Sequence, residues 1–330
     1  MNNHTQTKLV EPMVTERWPK NHKLREPKKF YLKYYEPKQP NIDSILESID
    51  ELLPDHKPVT MWSGGKDGRV VLEELIKRER VDSVFYIRTN TGVQVTEDFI
   101  KDTLQSLGIR LHIREPTPHA FVYVAICLEI GFPGPSLHDM IMSFLKYKTM
   151  MKFVQEPQFK KQKCVLMSGV RQEESQRRKI NYEHPINLDS GKMWFCCPVF
   201  YSSNEQVYKY FIEKGLKKSP SYDVYPSSME CECGTFAGYG EMDAIKKLDP
   251  RRANFLEWVT EGVNLFGSER AKRHAVWGNG KNSDWSSEEI QEVLTKYFGD
   301  GKMFEHIQKL SSQACGADCG AGSMKGLFGN

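Results

Sequence analysis

Val59-Thr60-Met61-Trp62-Ser63-Gly64-Gly65-Lys66-Asp67-Gly68-Arg69-Val70-Val71-Leu72 is the stretch on which the fold turns. It opens on β-favouring apolar residues, passes through a polar Gly-Gly turn, and continues with apolar residues at helical spacing. Strand, tight turn and helix in that order aim backbone N–H groups and the positive end of a helix at one point, where an anion binds. Gly64 and Gly65 allow close approach to the backbone, Lys66 adds a mobile cation and Ser63 a hydroxyl donor. The GxxxxGK[ST] spacing of a Walker loop is absent.

Working outward, Ile42, Ile45, Leu46, Ile49, Leu52 and Leu53 predict a helix, residues 58–62 the first core strand, and residues 68–80 the helix after the turn. Val84-Phe85-Tyr86-Ile87 reads as a parallel strand buried on both faces. A helix over 99–107 then ends at Gly108, and Leu111-His112-Ile113 forms another strand. Residues 120–155 read as two helices broken at Gly131–Pro135, and Val165–Gly169 as a further strand. Helices are expected at 203–214, across 241–266, and at 286–297 behind Ser286-Ser287-Glu288-Glu289. This alternation argues for an α/β, doubly wound parallel sheet. Ligands of such sheets sit beyond the carboxyl ends of the strands, where the Ser63 turn lies.

With 39% hydrophobic and 27% charged residues, the 330-residue chain has the composition of a soluble globular protein. It has no apolar run of about 18 residues and no apolar segment after Met1, so a cytoplasmic protein with no membrane contact is expected. A net charge of +3 neither demands nor excludes nucleic acid. Eight cysteines in such a chain point to metal, cluster or redox chemistry. Cys127 and Cys164 lie in apolar stretches and read as core.

The Ser63-Gly64-Gly65-Lys66-Asp67 string resembles the PP-loop of the adenine-nucleotide α-hydrolase group, and within it the PAPS-reductase-like family. That family includes sulfonucleotide reductases and DNA-phosphorothioation sulfurtransferases. Gly68 departs from the pattern, which has Ser or Thr there. Thr91-Gly92 matches the family's Asp-Thr-Gly element, with Asn90 in place of the Asp and Glu97 as the acid opening the next helix. Gly169, Arg171, Glu174, Ser175 and Arg178 fall on the fixed positions of its Gly-x-Arg-x-x-Glu-Ser-x-x-Arg motif. Leu145-Lys146 stands where the family has a Leu-Lys pair near the nucleotide, although Lys146, Lys148 and Lys152 equally suit a solvated face. Composition and pattern mark a polar arm over 1–40 and a helical cysteine-bearing region over 226–330, and the resemblance implies a PP-loop nucleotide-binding domain over 41–225.

Cys231-Glu232-Cys233-Gly234 and Cys315-Gly316-Ala317-Asp318-Cys319 are two close thiol pairs, able together to supply four sulfur ligands. By family analogy the expected metal site is Cys231, Cys233, Cys315 and Cys319 around a [4Fe-4S] cluster, with zinc as the alternative. Cys196 and Cys197 with Cys231 and Cys233 form the competing set. Glu232-Cys233-Gly234 also begins the reductases' Glu-Cys-Gly-x-His motif, but Phe236 stands at the histidine position.

The resemblance implies ATP, or PAPS or APS, bound by Ser63, Gly64, Gly65, Lys66, Asp67, Gly68, Thr91, Gly92, Gly169, Arg171, Glu174 and Ser175. Lys66, Asp67, Arg171 and Arg178 are the expected catalytic residues, with Asp67 holding Mg²⁺ or capping the helix. The sequence reading favours an ATP pyrophosphatase that adenylylates a substrate, DNA or tRNA, for sulfur insertion with a cysteine desulfurase as donor. The alternatives are a sulfonucleotide reductase served by thioredoxin, and a non-catalytic nucleotide-sensing or DNA-binding module. Residues 269–281 are the most basic and aromatic cluster, with Trp277 placed to stack on a base or the whole to form a solvated loop. A homo-oligomer is compatible with all of these.

Overall fold

The structure is a computed structural model that describes residues 33–35, 37–116, 122–161, 164–174, 184–189 and 193–278, with a few positions between 286 and 292. Its strands are β1 (Lys33–Tyr35), β2 (Lys57–Met61), β3 (Ser83–Ile87), β4 (Arg110–Arg114), β5 (Cys164–Ser168), β6 (Ile186–Asp189) and β7 (Met193–Cys196). They form one sheet in the order β1-β6-β7-β5-β2-β3-β4. The run from β7 to β4 is parallel throughout, whereas β6 lies antiparallel to both β7 and β1. The chain steps outward from β2 to β3 and β4, then returns to lay β5 and β7 on the other side of β2. Connections leaving β2 and β5 therefore diverge, which opens a crevice at their carboxyl ends. The parallel core agrees with the sequence reading. The antiparallel edge at β6 does not show in the sequence, because four-residue strands are too short to display a period.

The helices are α1 (Ile42–Leu52), α2 (Lys66–Lys77), α3 (Gln94–Ser106), α4 (Val122–Ile130), α5 (His138–Met142), α6 (Lys148–Phe153), α7 (Pro157–Lys161), α8 (Asn204–Glu213), α9 (Glu241–Leu248), α10 (Pro250–Phe266) and α11 (Glu269–Arg273). A π-helical turn, Ser143–Tyr147, joins α5 to α6. Helix α3 starts well before the expected Phe99, because its first turn buries polar Thr96 and Glu97 and so lacks the apolar signal.

Alternating residues of β5 face opposite layers, as a strand's two-residue period requires. Val165 and Met167 join Ile45 and Ile49 of α1, Val71 of α2 and Phe211 of α8. Cys164 and Leu166 join Met150 and Phe153 of α6 and Phe159 of α7. There the Phe85 and Phe153 rings stack 4.0 Å apart at 4°. A separate helical core unites Tyr123 and Ile130 of α4, Ile141 of α5, Ile245 of α9 and Val259 of α10. Met229 and Cys233 belong to it, so the segment after residue 226 threads between the end of the sheet and the helical layer. No helix among the described residues is long and apolar enough to cross a membrane.

Phe153→Ala should destabilise the fold by about 3–5 kcal/mol, since the ring is fully buried and its stacking partner sits in a strand. Urea unfolding with an unchanged m-value is the measurement; a loss under about 1 kcal/mol would show that the layer refills the cavity.

Candidate active site

After Met61 the chain turns through Trp62–Gly65 into α2. Gly64 takes φ +81°, which only glycine adopts without strain, and Gly65 is the extended N-cap of α2. Trp62 Nε1 donates to the Gly65 carbonyl at 2.9 Å and ties the turn. Ser63, Gly65, Asp67 and Gly68 line one cleft together with Gly169, Tyr86, Lys146 and Glu230. The loop after β2 and the exit of β5 are thus brought together at the crevice between those strands. Gly64 and Lys66 flank this wall, and the Lys66 backbone N–H donates to the Tyr222 hydroxyl at 3.4 Å.

Two glycines are fixed by proximity. A Cβ on Gly169 would lie 2.4 Å from the Gly68 nitrogen, so the exit of β5 packs backbone against backbone on the first turn of α2. A Cβ on Gly68 would lie 2.8 Å from Trp62 Cδ1. The indole occupies the space into which a Ser or Thr would extend, so the departure at Gly68 is matched by Trp62.

Arg171, 3% exposed, does not line the cleft. Its Nε donates to Asp67 Oδ1 at 2.8 Å, and its terminal nitrogens to the Ser202 carbonyl at 3.3 Å and Asn204 Oδ1 at 3.4 Å. Asp67 is 1% exposed, and a carboxylate so buried needs a charged partner. Arg171 supplies it. Glu174 accepts the Arg171 backbone N–H at 3.0 Å. Lys66 Nζ lies 3.6 Å from Asp67 Oδ2. Ser175 and Arg178 lie outside the described residues.

Thr91 and Gly92 sit elsewhere than expected. They do not line the cleft; they clamp the segment 228–231. Thr89 Oγ1 donates to the Glu230 carbonyl at 3.0 Å, Val93 N–H to the Met229 carbonyl at 3.0 Å, and Thr96 Oγ1 to the Ser228 carbonyl. A Cβ on Gly92 would fall 2.2 Å from the Glu230 oxygen, so only glycine permits the contact. Arg252 braces the turn from outside, donating to the Asn90 carbonyl at 2.6 Å and the Gly92 carbonyl at 3.2 Å. Burial raises the Glu97 carboxyl, but hydrogen bonds from Arg88 and Lys101 outweigh it and hold the pKa below the usual value.

The clamp delivers Glu230 into the cleft wall, where its carboxylate pairs with Lys146 Nζ. Both side chains are more than nine-tenths buried. Lys146 projects from the π-helical turn, an irregularity frequent at functional sites. Burial, then the Glu230 charge, push the Tyr86 hydroxyl beside them far above its ordinary pKa. Sequence reasoning overlooked Glu230, which stands in no motif. Lys146 carried a signal in its Leu145-Lys146 match, shared with neighbouring lysines.

Next along the chain, Cys231 is half-buried and Cys233 only 8% exposed. Thr91 Oγ1 donates to Cys231 Sγ at 3.5 Å. A hydrogen bond to Cys231 and burial push the Cys233 thiol well up. Burial, then a hydrogen bond with Glu241, do the same to the Glu232 carboxyl. Cys196 and Cys197 lie in the α1–α2–α8 layer and Cys231 and Cys233 against the helical core, so the competing four-cysteine set is not assembled. Cys315 and Cys319 lie outside the described residues. Among the described residues no group of three or more His, Cys, Asp or Glu side chains is arranged to hold a metal.

The basic cluster near residue 270 is laced with acidic partners. Arg270 and Arg273 pair with Glu292 and Glu289, and Lys272 with Glu269. Trp277 is half-buried and donates to the Glu232 carbonyl at 3.1 Å, so its indole braces the cysteine segment instead of standing out to stack.

Gly92→Ala should push the 228–231 segment off its clamp. The expected outcome is a stability loss of about 1–3 kcal/mol and faster alkylation of Cys233 in the native state. Unchanged alkylation would show that the clamp does not hold the cysteines in place.

Comparison with known proteins places this geometry in a family. The phosphoadenosine phosphosulfate reductase domain matches residues 57–232, more than half of the chain. A comparison with curated proteins finds no match. Among solved structures, phosphoadenylyl-sulfate (PAPS) reductase from Candida auris, in a phosphate complex, is similar at 16% identity and TM-score 0.42, over 56% of this chain and 84% of that one. FMN adenylyltransferase from Candida glabrata is similar at 13% identity and TM-score 0.39, over 56% of this chain and 58% of that one. Yeast FAD synthetase is similar at 10% identity and TM-score 0.38, over 72% of this chain and 86% of that one. At such distances these likenesses carry no argument about the reaction. The family match, spanning the Ser63 turn, the clamp and the first cysteine, shows that the chain belongs to the phosphoadenosine phosphosulfate reductase domain family.

Proposed function

We propose that the chain binds an adenosine nucleotide carrying a sulfate anhydride in the cleft and attacks its sulfur with the Cys231 thiolate. The carrying observation is Glu230, which lines the cleft and directly precedes Cys231, so one clamped segment joins the nucleotide wall to a half-buried thiol. The Ser63–Gly65 turn and the first N–H groups of α2 receive phosphate oxygens, with Lys66 adding charge. Asp67 and Arg171 fix the turn against the exit of β5. Lys146, paired with Glu230 next to Cys231, supplies a buried cation to the cleft, and the Thr91 hydroxyl stabilises the Cys231 thiolate. Thioredoxin-like dithiols are the fitting reductant.

One observation favours a second reading, transfer of an adenylyl group from ATP to an acceptor such as DNA or tRNA, with a cysteine desulfurase supplying sulfur. Asp67 Oδ2 is buried beside the turn and makes no hydrogen bond among the described residues, which suits a carboxylate able to hold Mg²⁺.

Incubating the reduced protein with PAPS, APS or ATP separates the two. Sulfite release is expected from a sulfonucleotide, falling more than about 1,000-fold in Cys231→Ser. Lys66→Met should raise KM roughly 10- to 100-fold, the worth of a charge-assisted contact. Pyrophosphate from ATP without sulfite from either sulfonucleotide would replace the first reading with the second.

A further inference from the structure

The cysteine segment carries more order than one nucleophile needs. Cys231 and Cys233 stand two positions apart in one clamped segment, and both belong to the helical-core side of the site. They are unequal in access, Cys231 half-buried and Cys233 behind it at 8% exposure. Each sulfur has its own hydroxyl partner: Thr91 Oγ1 lies 3.5 Å from Cys231 Sγ, and Thr235 Oγ1 lies 3.1 Å from Cys233 Sγ. The backbone between and beyond them is pinned as well. Trp277 Nε1 donates to the Glu232 carbonyl at 3.1 Å, and the Tyr123 hydroxyl to the Cys233 carbonyl at 2.8 Å. Gly234, at φ +83°, turns the chain away directly afterwards. Two thiols two residues apart in one pinned segment, one more accessible and one sheltered, are the arrangement of an attacking and a resolving cysteine.

We propose that Cys231 and Cys233 form a redox-active dithiol, in which Cys233 resolves the adduct on Cys231 within the same chain. This rests on the sulfonucleotide reading. The Cys231 thiolate attacks the sulfate sulfur, the sulfur–oxygen bond to the phosphate breaks, and the nucleotide leaves with that electron pair. A sulfonate group remains on Cys231. Cys233 loses its proton to solvent and attacks Cys231 Sγ; the disulfide forms, the bond to the sulfonate sulfur breaks, and sulfite departs with the pair. The two thiols have supplied the two electrons by which the sulfur is reduced, and an external dithiol restores them before the next turnover. In the sequence, Cys233 is the cysteine of the incomplete Glu-Cys-Gly-x-His match. Its burial behind Cys231 gives it the second step.

The test is a single turnover of the full-length, fully reduced chain with PAPS after all free thiol is removed. Wild type should release about one sulfite per chain and yield a Cys231–Cys233 disulfide in its peptide map. Cys233→Ser should hold the sulfonate on Cys231 until dithiothreitol is added. Wild type that retains the sulfonate until thiol is added, or a Cys233→Ser variant that releases sulfite as fast as wild type, would overturn the proposal. Diamide oxidation of the same protein reads the pair without any nucleotide. A Cys231–Cys233 disulfide there, with no cleavage of PAPS, supports the dithiol and places the failure in the sulfonucleotide reading. A pair that stays reduced under diamide, or stoichiometric iron or zinc lost in Cys231→Ser, overturns the dithiol.

Discussion

A buried ion pair between Asp67 and Arg171 is the constraint on which the site depends. The two residues follow different strands, β2 and β5, at the point where the sheet's connections diverge. Neither charge is solvated, so each stabilises the fold only while the other is present; removing one partner of such a pair costs about 3–5 kcal/mol. The pair draws the first turn of α2 against the exit of β5 closely enough that Gly169 meets the Gly68 backbone. It also reaches the start of α8 through Ser202 and Asn204. One guanidinium thereby sets three segments around the mouth of the cleft.

The second organising contact has almost no side chain in it. Gly92 lies against the Glu230 backbone, and three hydrogen bonds from Thr89, Val93 and Thr96 hold the carbonyls of 228–230. Because the clamp grips backbone, the side chains of Glu230 and Cys231 are left to act. Glu230 turns to Lys146 in the cleft, and Cys231 stays half-buried beside Thr91. The helical layer completes the support through Tyr123 and Trp277. The cysteine segment is therefore as firmly placed as a strand, without belonging to the sheet.

Much of this was legible in the residues themselves. Val59–Leu72 specified strand, turn and helix, because apolar periodicity and Gly-Gly act locally. Alternating strand and helix patterns gave the parallel core of the sheet, and the spacing of Gly169, Arg171 and Glu174 placed a second motif at another strand end. The sequence also marked Cys231 and Cys233 as a pair. These are properties of neighbours along the chain, and neighbours interact whatever the fold.

Tertiary structure decided what each residue does. Arg171 pairs with Asp67, because a buried carboxylate demands a counter-charge that no local pattern announces. Thr91 and Gly92 became a clamp because a segment roughly 140 positions later packs on them, a separation over which sequence spacing carries no information. Gly68 looked like a lost phosphate donor until the Trp62 indole was found filling its place. Burial likewise separated Cys196 and Cys197 from Cys231 and Cys233, and set Cys233 behind Cys231. Local chemistry determined that an anion-binding turn and a thiol pair exist; which groups stand free to use them follows from long-range packing and the charges it buries together.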